Sequence, residues 1–179
     1  TASEVELWIL DKADLVDLIA ENPLIGFKLR QAFGSGLAIF DQYLVEQRLR
    51  ALPYLAGLEE EELLAIAQQL VPVEKVKDEF IVEGGQDPEA LFIVESGQVH
   101  LHSSEEGNDF SELGEGESFG ELAMLTGKPH TRSVQAATDL FLWSLPATEF
   151  NILAEEHPGI RLALSETIRE PLLARDQKR

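Results

Sequence analysis

Residues 119–134 read FGELAMLTGKPHTRSV, and they are the part of the sequence best suited to bind an anion. Gly120 precedes an acidic residue, Glu121, and a short apolar run, which predicts a turn followed by the start of a helix. Backbone amides at a helix start lack partners within the helix and bind anions such as phosphate. Two basic side chains, His130 and Arg132, follow closely. The segment therefore predicts either an anion site or a loop of the same shape that binds nothing.

A second group of polar residues suggests metal chemistry. His100 and His102 lie on one face of a predicted strand, with Glu106 shortly after them. This partly resembles the first metal motif of the cupins, but that motif requires glycine at position 94, where the chain has Val94. The later histidine in a Pro-x-Gly context is also missing. A polar outer face near a turn is the favoured interpretation, and a cupin-like metal-binding roll remains a remote alternative.

Other catalytic patterns are not found in the sequence. Gly127-Lys128-Pro129 has the wrong residues for the end of a P-loop, and no Gly-x-Ser-x-Gly nucleophile motif is present. The chain has no cysteine, which excludes disulfides, thiolate zinc sites and a cysteine nucleophile. We therefore predict that the chain is not an enzyme and has no cofactor.

The composition limits the partners of the chain. Of its 179 residues, 44% are hydrophobic and 26% are charged, as in globular proteins. The formal net charge is −19, whereas binding to nucleic acid or an anionic membrane needs a positive field. No apolar run approaches the ~18 residues that indicate a membrane span. We expect no nucleic-acid partner, no direct membrane insertion and a cytoplasmic location, which includes the cytoplasmic part of a membrane protein.

The periodicity of apolar residues predicts helices on both sides of a β-rich region. Helices are predicted over 37–49, 58–70, 147–156 and 160–175, with a hinge at Gly34-Ser35-Gly36 and a break near Pro171. Glycine-rich turns separate about eight short β-prone runs, which are typical of an antiparallel double-sheet roll. The predicted strands are 73–77, 80–82, 90–95, 98–102, 110–113, 116–120, 133–137 and 140–145.

The chain also contains an internal repeat. Residues 1–29 align without gaps with residues 136–164, an offset of 135. Matching pairs are Leu7/Leu142, Trp8/Trp143, Leu10/Leu145, Glu21/Glu156, Pro23/Pro158, Ile25/Ile160 and Leu29/Leu164. We therefore predict that residues 1–50 are the tail of a preceding domain plus a linking helix, and that residues 51–179 form one complete domain. The chain is expected to be part of a longer protein.

The quoted motifs resemble the cyclic nucleotide-binding domain family. The resemblance covers roughly residues 52–168 and rests on VEGGQDPEALFIVESGQVHLH, on LGEGESFGELAMLTGKPHTRSV and on the strand ending in Trp143-Ser144-Leu145. It implies an eight-stranded β-roll with flanking helices, mainly β with α. It also implies a phosphate-binding cassette between two strands, and helices that move on ligand binding and signal to an effector.

The resemblance places that cassette at residues 119–134. It implies that Phe119 and Gly120 lead into the helix start, that Glu121 holds the ribose 2′-hydroxyl, and that the backbone amides of Leu122 and Ala123 face the cyclic phosphate of cAMP or cGMP. The family pattern continues with proline, arginine, two small residues, Ser or Thr, and valine. This chain has Pro129, His130, Thr131, Arg132, Ser133 and Val134.

The phosphate arginine is thus replaced by His130, with an arginine two residues later. Arginine offers a permanent charge and two parallel donors, whereas histidine is mostly neutral at pH 7. In an extended strand, residues i and i+2 share a face, so Arg132 could reach the pocket beside His130. The sequence leaves two interpretations open. One is a sensor that binds a cyclic nucleotide and signals to an effector such as a transporter, channel, esterase or kinase. The other is a degenerate, ligand-free domain that serves interdomain or subunit contacts, including a homodimer through the helices.

Overall fold

The computed structural model describes residues 11–33, 38–102 and 110–165, in which helices precede and follow a β-roll. The helices are α1 (Lys12–Glu21), α2 (Pro23–Phe33), α3 (Ala38–Leu44), a π-helical turn (Val45–Leu49), a 3-10 turn (Pro53–Leu55), α4 (Glu60–Gln69), α5 (Glu121–Thr126), α6 (Ala147–Glu156) and α7, described over residues 158–165. The strands are β1 (Val71–Lys75), β2 (Phe80–Val82), β3 (Ala90–Ser96), β4 (Val99–His102), β5 (Phe110–Leu113), β6 (Ser118–Phe119), β7 (Ser133–Ala136) and β8 (Leu140–Pro146).

The strands form two antiparallel sheets, with the orders β1-β8-β3-β6 and β2-β7-β4-β5. One apolar cluster joins the sheets, since it contains Val94 and Leu142 of the first sheet and Val99 and Val134 of the second. The predicted double-sheet roll with flanking helices is therefore confirmed.

The two central strands of the first sheet are buried on both faces. Alternate side chains of a strand point to opposite sides of its sheet. Val94 and Leu142 accordingly face the interior of the roll, whereas Ile93 and Trp143 belong to a second apolar cluster formed with the helices. This explains why β3 and β8 read as nearly continuous apolar runs rather than as an alternating pattern.

The helix after the roll runs over Ala147–Glu156, as predicted. The helix before the roll is shorter than the predicted 58–70, because the Glu59 carboxylate accepts from a backbone amide of the first turn and the Glu62 side chain accepts from the backbone amide of Glu59. This capping box sets the start of α4 at Glu60. The predicted helix over 160–175 begins earlier, at residue 158, and its part beyond residue 165 lies outside the described residues.

The predicted helix over 37–49 has an irregular end. The structure describes it from Ala38, and its last five residues, Val45–Leu49, form a π-helical turn rather than a continuation of the α-helix. Short π-helical turns interrupt helices most often at functional positions. The predicted hinge at residues 34–36 lies outside the described residues, as do Leu37 and Pro171.

The predicted strand over 116–120 shortens to Ser118–Phe119. Gly116 and Gly120 have φ values of 80° and 94°, which an extended strand does not adopt. The two glycines therefore end the strand on both sides, and Gly120 turns the chain directly into α5.

The repeat seen in the sequence is matched by the structure of the two helical hairpins. Adding 135 to the bounds of α1 gives the bounds of α6, and α2 and α7 begin at equivalent prolines. The connections also agree, because the Asn22 amide donates to the Leu18 carbonyl at 3.0 Å and the His157 amide donates to the Leu153 carbonyl at 2.7 Å. That α1 and α2 belong to a preceding domain remains a prediction.

Candidate functional site

The predicted cassette lies between β6 and β7 and begins at a backbone position that requires glycine. Gly120 has a left-handed conformation, and a Cβ placed there would lie 2.7 Å from the carbonyl oxygen of Ala90 on β3. Its own carbonyl accepts from the amide of Met124 at 3.1 Å, which closes the first turn of α5. Gly120 therefore allows the helix start to lie directly against the roll. Phe119, just before it, is buried, and its ring stacks on Phe92 with centroids 5.1 Å apart.

Glu121 supplies a mostly buried carboxylate at the first residue of α5. Within the described ranges, its Oε2 is the one buried side-chain nitrogen or oxygen without a hydrogen-bond partner. Burial raises the pKa of Glu121, and a hydrogen bond with its own backbone opposes this shift. An unpaired buried acceptor is costly, so this oxygen is suited to accept a hydrogen bond from a ligand hydroxyl.

Tyr54 lies within electrostatic range of this carboxylate, and sequence analysis did not identify it. Its hydroxyl is 2.6 Å from the Oγ of Ser118, and its pKa is raised first by burial and also by the negative charge of Glu121. Tyr54 belongs to the 3-10 turn between the π-helical turn and α4. The α-helical periodicity used to interpret this region gives no signal for a single side chain in such a turn.

The two other residues of the first turn of α5 differ in exposure. Leu122 is 45% exposed, whereas Ala123 is buried against the roll. Amides in the first turn of a helix have no partner within it, so those of Leu122 and Ala123 are the donors that this arrangement can offer to an anion.

His130 is held by two hydrogen bonds of its backbone. Its amide donates to the Gln86 carbonyl at 2.8 Å, and its carbonyl accepts from the Gly85 amide at 2.7 Å. Burial lowers the pKa of the imidazole, and the negative charge of Glu89 opposes this with a smaller effect. His130 is therefore neutral at pH 7, so it can form a hydrogen bond but supplies no positive charge.

The space between His130 and the roll is small. The cavity has a volume of about 10 Å³. It is lined by Ile81, Val82, Gln86, Asp87, Glu89, Phe92 and His130. This is the space of about one water molecule, whereas pockets for small ligands measure roughly 300–1,000 Å³. Two carboxylates in the lining also disfavour a phosphate. As it stands, this cavity has no room for a nucleotide.

The structure does not bring Arg132 into this space. The chain bends at Thr131 and Arg132, and strand β7 begins at Ser133. The prediction that Arg132 shares a face with His130 assumed an extended strand, and this assumption is wrong. Arg132 is exposed and has no ion pair or side-chain hydrogen bond in the part of the chain that the structure describes. Ser133 Oγ accepts from the Gly84 amide at 2.9 Å, so it fastens the loop after β2.

The two histidines of β4 have other partners. His100 Nε2 lies 3.2 Å from a carboxylate oxygen of Glu112, and His102 Nε2 lies 3.1 Å from the side-chain oxygen of Gln135. Among the described residues no group of three or more His, Cys, Asp or Glu side chains is placed to hold a metal ion. The third predicted ligand, Glu106, lies outside these residues. The cupin-like alternative gains no support from the described part of the fold.

A larger surface cleft, of about 410 Å³, lies along β1 and β8 and contains none of the predicted site residues. Its lining includes Glu74, Glu79 and Asp139 beside Lys75. A shallow acidic cleft is no site for a phosphate ester. The cassette therefore remains the candidate site, although its cavity is far smaller.

Residues 72–157 match the family described as the cyclic nucleotide-binding domain. This part of the chain, which contains the β-roll and α6, thus belongs to the family. A lysophospholipase NTE1 from Pyricularia oryzae is 33% identical over 157 residues, which are 86% of this chain and 10% of the relative. A cyclic nucleotide-gated potassium channel from Rhizobium etli is 33% identical over 129 residues, 72% of this chain and 34% of the channel. The chain therefore spans only a small part of these relatives.

A solved structure with the same fold comes from Trypanosoma brucei. It is a mutant, bound to cAMP, of the regulatory subunit of a cAMP-independent protein kinase A, and one of its three substitutions changes threonine to arginine. It matches with a TM-score of 0.64 and 26% identity over 83% of this chain and 55% of that chain. In the described ranges, no helix is both long and apolar enough to span a membrane. The cytoplasmic location stays a prediction.

Proposed function

We propose that the chain is a regulatory module of the cyclic nucleotide-binding type that signals to an effector elsewhere in a longer protein. The observation that carries this is the helix start at Gly120, where the unpaired Oε2 of Glu121 lies next to the free amides of α5. These groups are matched to a ribose hydroxyl and a phosphate, respectively. Membership of the family and the similarity to a lysophospholipase and a channel support a regulatory role.

The candidate ligand is cAMP or cGMP, bound weakly by the natural sequence. A neutral His130 cannot replace an arginine, because a charged hydrogen bond contributes roughly 1.5–3 kcal/mol and arginine forms two. The exposed Arg132 does not compensate for this loss. A T. brucei relative supports the same view, since a cAMP-independent regulatory subunit was found with bound cAMP after three substitutions that include a new arginine.

Calorimetric titration with cAMP and with cGMP tests this proposal. His130→Arg is expected to strengthen binding by about ten- to one-hundred-fold, the effect of one charged hydrogen bond of roughly 1.5–3 kcal/mol. Adding Glu121→Gln to His130→Arg is expected to remove most of that gain. Arg132→Ala is the matched control, and it should leave the dissociation constant unchanged. If Arg132→Ala abolishes binding instead, the phosphate is held from position 132 and not from position 130.

A ligand-free module that serves interdomain or subunit contacts is the second candidate. The observation that favours it is the cavity of about 10 Å³ beside His130, which is closed by two backbone hydrogen bonds to the loop after β2. In that case, we expect no binding heat when either nucleotide is titrated into the natural chain or into the His130→Arg variant. Such a result would contradict the sensor role for this domain.

A further inference from the structure

The hairpin of α1 and α2 is attached to this domain through a first face on α2. A Cβ on Gly26 would lie 2.3 Å from the ring of Phe40, so glycine lets α2 cross α3 in close contact. The Phe27 ring lies 6.2 Å from that of Trp143 on β8. Both contacts join α2 to the cluster between the helices and the first sheet.

Arg30 adds a polar attachment on the same face. Its guanidinium donates to the buried Asp41 at 3.0 Å and to the carbonyls of Ala67 and Leu70, at the C-terminal end of α4, at 2.9 and 2.7 Å. The Ala67 carbonyl also accepts from the Leu70 amide at 3.3 Å, so Arg30 gives it a second donor. The Leu70 carbonyl, at the end of α4, receives a donor from outside the helix. The hairpin is thereby fixed to both α3 and α4.

A second face of the hairpin remains partly exposed and is apolar. It consists of Leu18, Ile25 and Leu29. Successive residues of a helix are separated by about 100°, which places Ile25 and Leu29 together and away from Phe27 and Arg30.

The internal repeat shows how such a face is used. The residues equivalent to Leu18, Ile25 and Leu29 are Leu153, Ile160 and Leu164, and each pair is identical. In α6 and α7 these three side chains are only 5%, 0% and 2% exposed, because they pack in the cluster between the helices and the first sheet. The same residue types are therefore buried against a roll in one hairpin and remain partly exposed in the other.

We propose that the face of Leu18, Ile25 and Leu29 binds a second β-roll of the same fold, N-terminal in sequence to α1. The hairpin is then shared between two rolls, because it completes the N-terminal roll and is fixed to the described domain through Gly26, Phe27 and Arg30. A displacement of the hairpin on the N-terminal roll acts directly on α3 and α4 of the described domain. The second roll is inferred from the repeat and the packing, so it stands or falls independently of nucleotide binding.

A tandem protein tests this surface directly. Because the repeat offset places Ala136 at the position of Thr1, residues 38–135 can be joined to the N-terminus of the full chain to supply the missing roll. Hydrogen exchange measured by mass spectrometry then compares α1 and α2 in the chain of 179 residues and in the tandem protein. We expect exchange in α1 and α2 to slow at least tenfold in the tandem protein.

Two matched substitutions assign the effect to the proposed face. Ile25→Asn is expected to remove the added protection in the tandem protein and to have little effect in the single chain. Ile160→Asn should lower protection of α6 and α7 equally in both proteins. Unchanged exchange in α1 and α2 of the tandem protein would overturn the proposal. Failure of the added roll to fold would also count against it, because the hairpin would then not complete a roll.

Discussion

The indole Nε1–H of Trp143 donates a hydrogen bond to the Oε2 of Glu95 at 2.7 Å, which ties the two central strands of the first sheet together by side chains. Glu95 is only 5% exposed. The guanidinium of Arg48, in the π-helical turn, binds both oxygens of this carboxylate and also reaches Glu115. The buried negative charge of Glu95 is thus balanced by Arg48. The π-helical turn after α3 lies where this arginine meets the roll.

Loss of the Arg48 side chain is predicted to be strongly destabilising. Arg48→Leu leaves the Glu95 carboxylate buried with no countercharge, and breaking a buried ion pair on one side costs about 3 kcal/mol or more. Urea unfolding of the purified chain measures the change in the free energy of unfolding. Arg50→Leu is the control, because Arg50 pairs with Glu46 on the surface and such pairs contribute less than about 1 kcal/mol. If the two substitutions lower the free energy of unfolding equally, the buried ion pair contributes no more to stability than the surface pair.

Gly120→Ala is predicted to destabilise the domain more than Gly127→Ala. Both glycines have positive φ, so alanine at either costs about 1–2 kcal/mol of backbone strain. At Gly120 the new methyl group also meets the Ala90 carbonyl, whereas the space around Gly127 is open. The difference between the melting temperatures of the two variants measures the effect of this contact. A smaller effect at Gly120 than at Gly127 would mean that α5 can move away from β3.

Replacing Glu121 by glutamine is predicted to stabilise the domain in a pH-dependent way. Burial raises the pKa of Glu121 in the folded state, so the folded protein binds this proton more tightly than the unfolded protein. The ionised carboxylate therefore costs stability, and this cost grows as the pH rises from the unfolded pKa, about 4.3, through the raised folded value. Below the unfolded pKa the cost is absent.

The measurement is the difference in the free energy of unfolding between Glu121→Gln and the natural chain. It should favour the variant at pH 7 and shrink as the pH falls toward the unfolded pKa. Taking the difference cancels the contributions of the other carboxylates. If the variant is more stable by the same amount at every pH, the stabilisation comes from the shape of the glutamine side chain and not from the loss of the charge.

The ion pair between Arg30 and Asp41 is predicted to couple α2 to α3. The two side chains are mostly buried, with exposed fractions of 14% and 8%, and they lie 3.0 Å apart. Each single replacement by leucine removes one charge and leaves the other buried, at a cost of about 2 kcal/mol or more. A double-mutant cycle with Arg30→Leu, Asp41→Leu and the combination should give a coupling energy of about 1–3 kcal/mol. Additive effects would mean that the hydrogen bonds to the carbonyls of Ala67 and Leu70, and not the ion pair, hold Arg30.

The architecture follows from local sequence patterns. Short β-prone runs between glycine turns predicted the eight strands, since strand periodicity and turn preferences are local properties of the chain. The repeat offset of 135 predicted that residues 1–29 and 136–164 are equivalent segments, and the bounds of α1 and α6 agree with this offset residue by residue. The strand that shortens most, 116–120, is limited by the positive φ of Gly116 and Gly120. A glycine permits this conformation, but the sequence does not require it.

The chemical content of the site was only partly determined by the sequence. The family resemblance predicted where the cassette and its glutamate lie, because both are carried by a contiguous motif. The position of Arg132 could not be derived, since the face of a side chain follows from spacing only within a regular element, and the chain bends at residues 131–132. The unpaired Oε2 of Glu121 and the small cavity beside His130 likewise depend on how distant segments pack.

By itself, then, the sequence determined the roll and the family of the domain at residues 72–157, and it predicted the residues of the cassette. Tertiary structure decided which charges meet, as in the pairs Arg48–Glu95 and Arg30–Asp41, whose partners come from separate elements. Such pairs depend on crossing positions of helices and strands, which are set by the packing of whole faces and not by local preference. The same packing left Arg132 exposed and placed the imidazole of His130, a neutral group, in the lining of the cavity beside the roll.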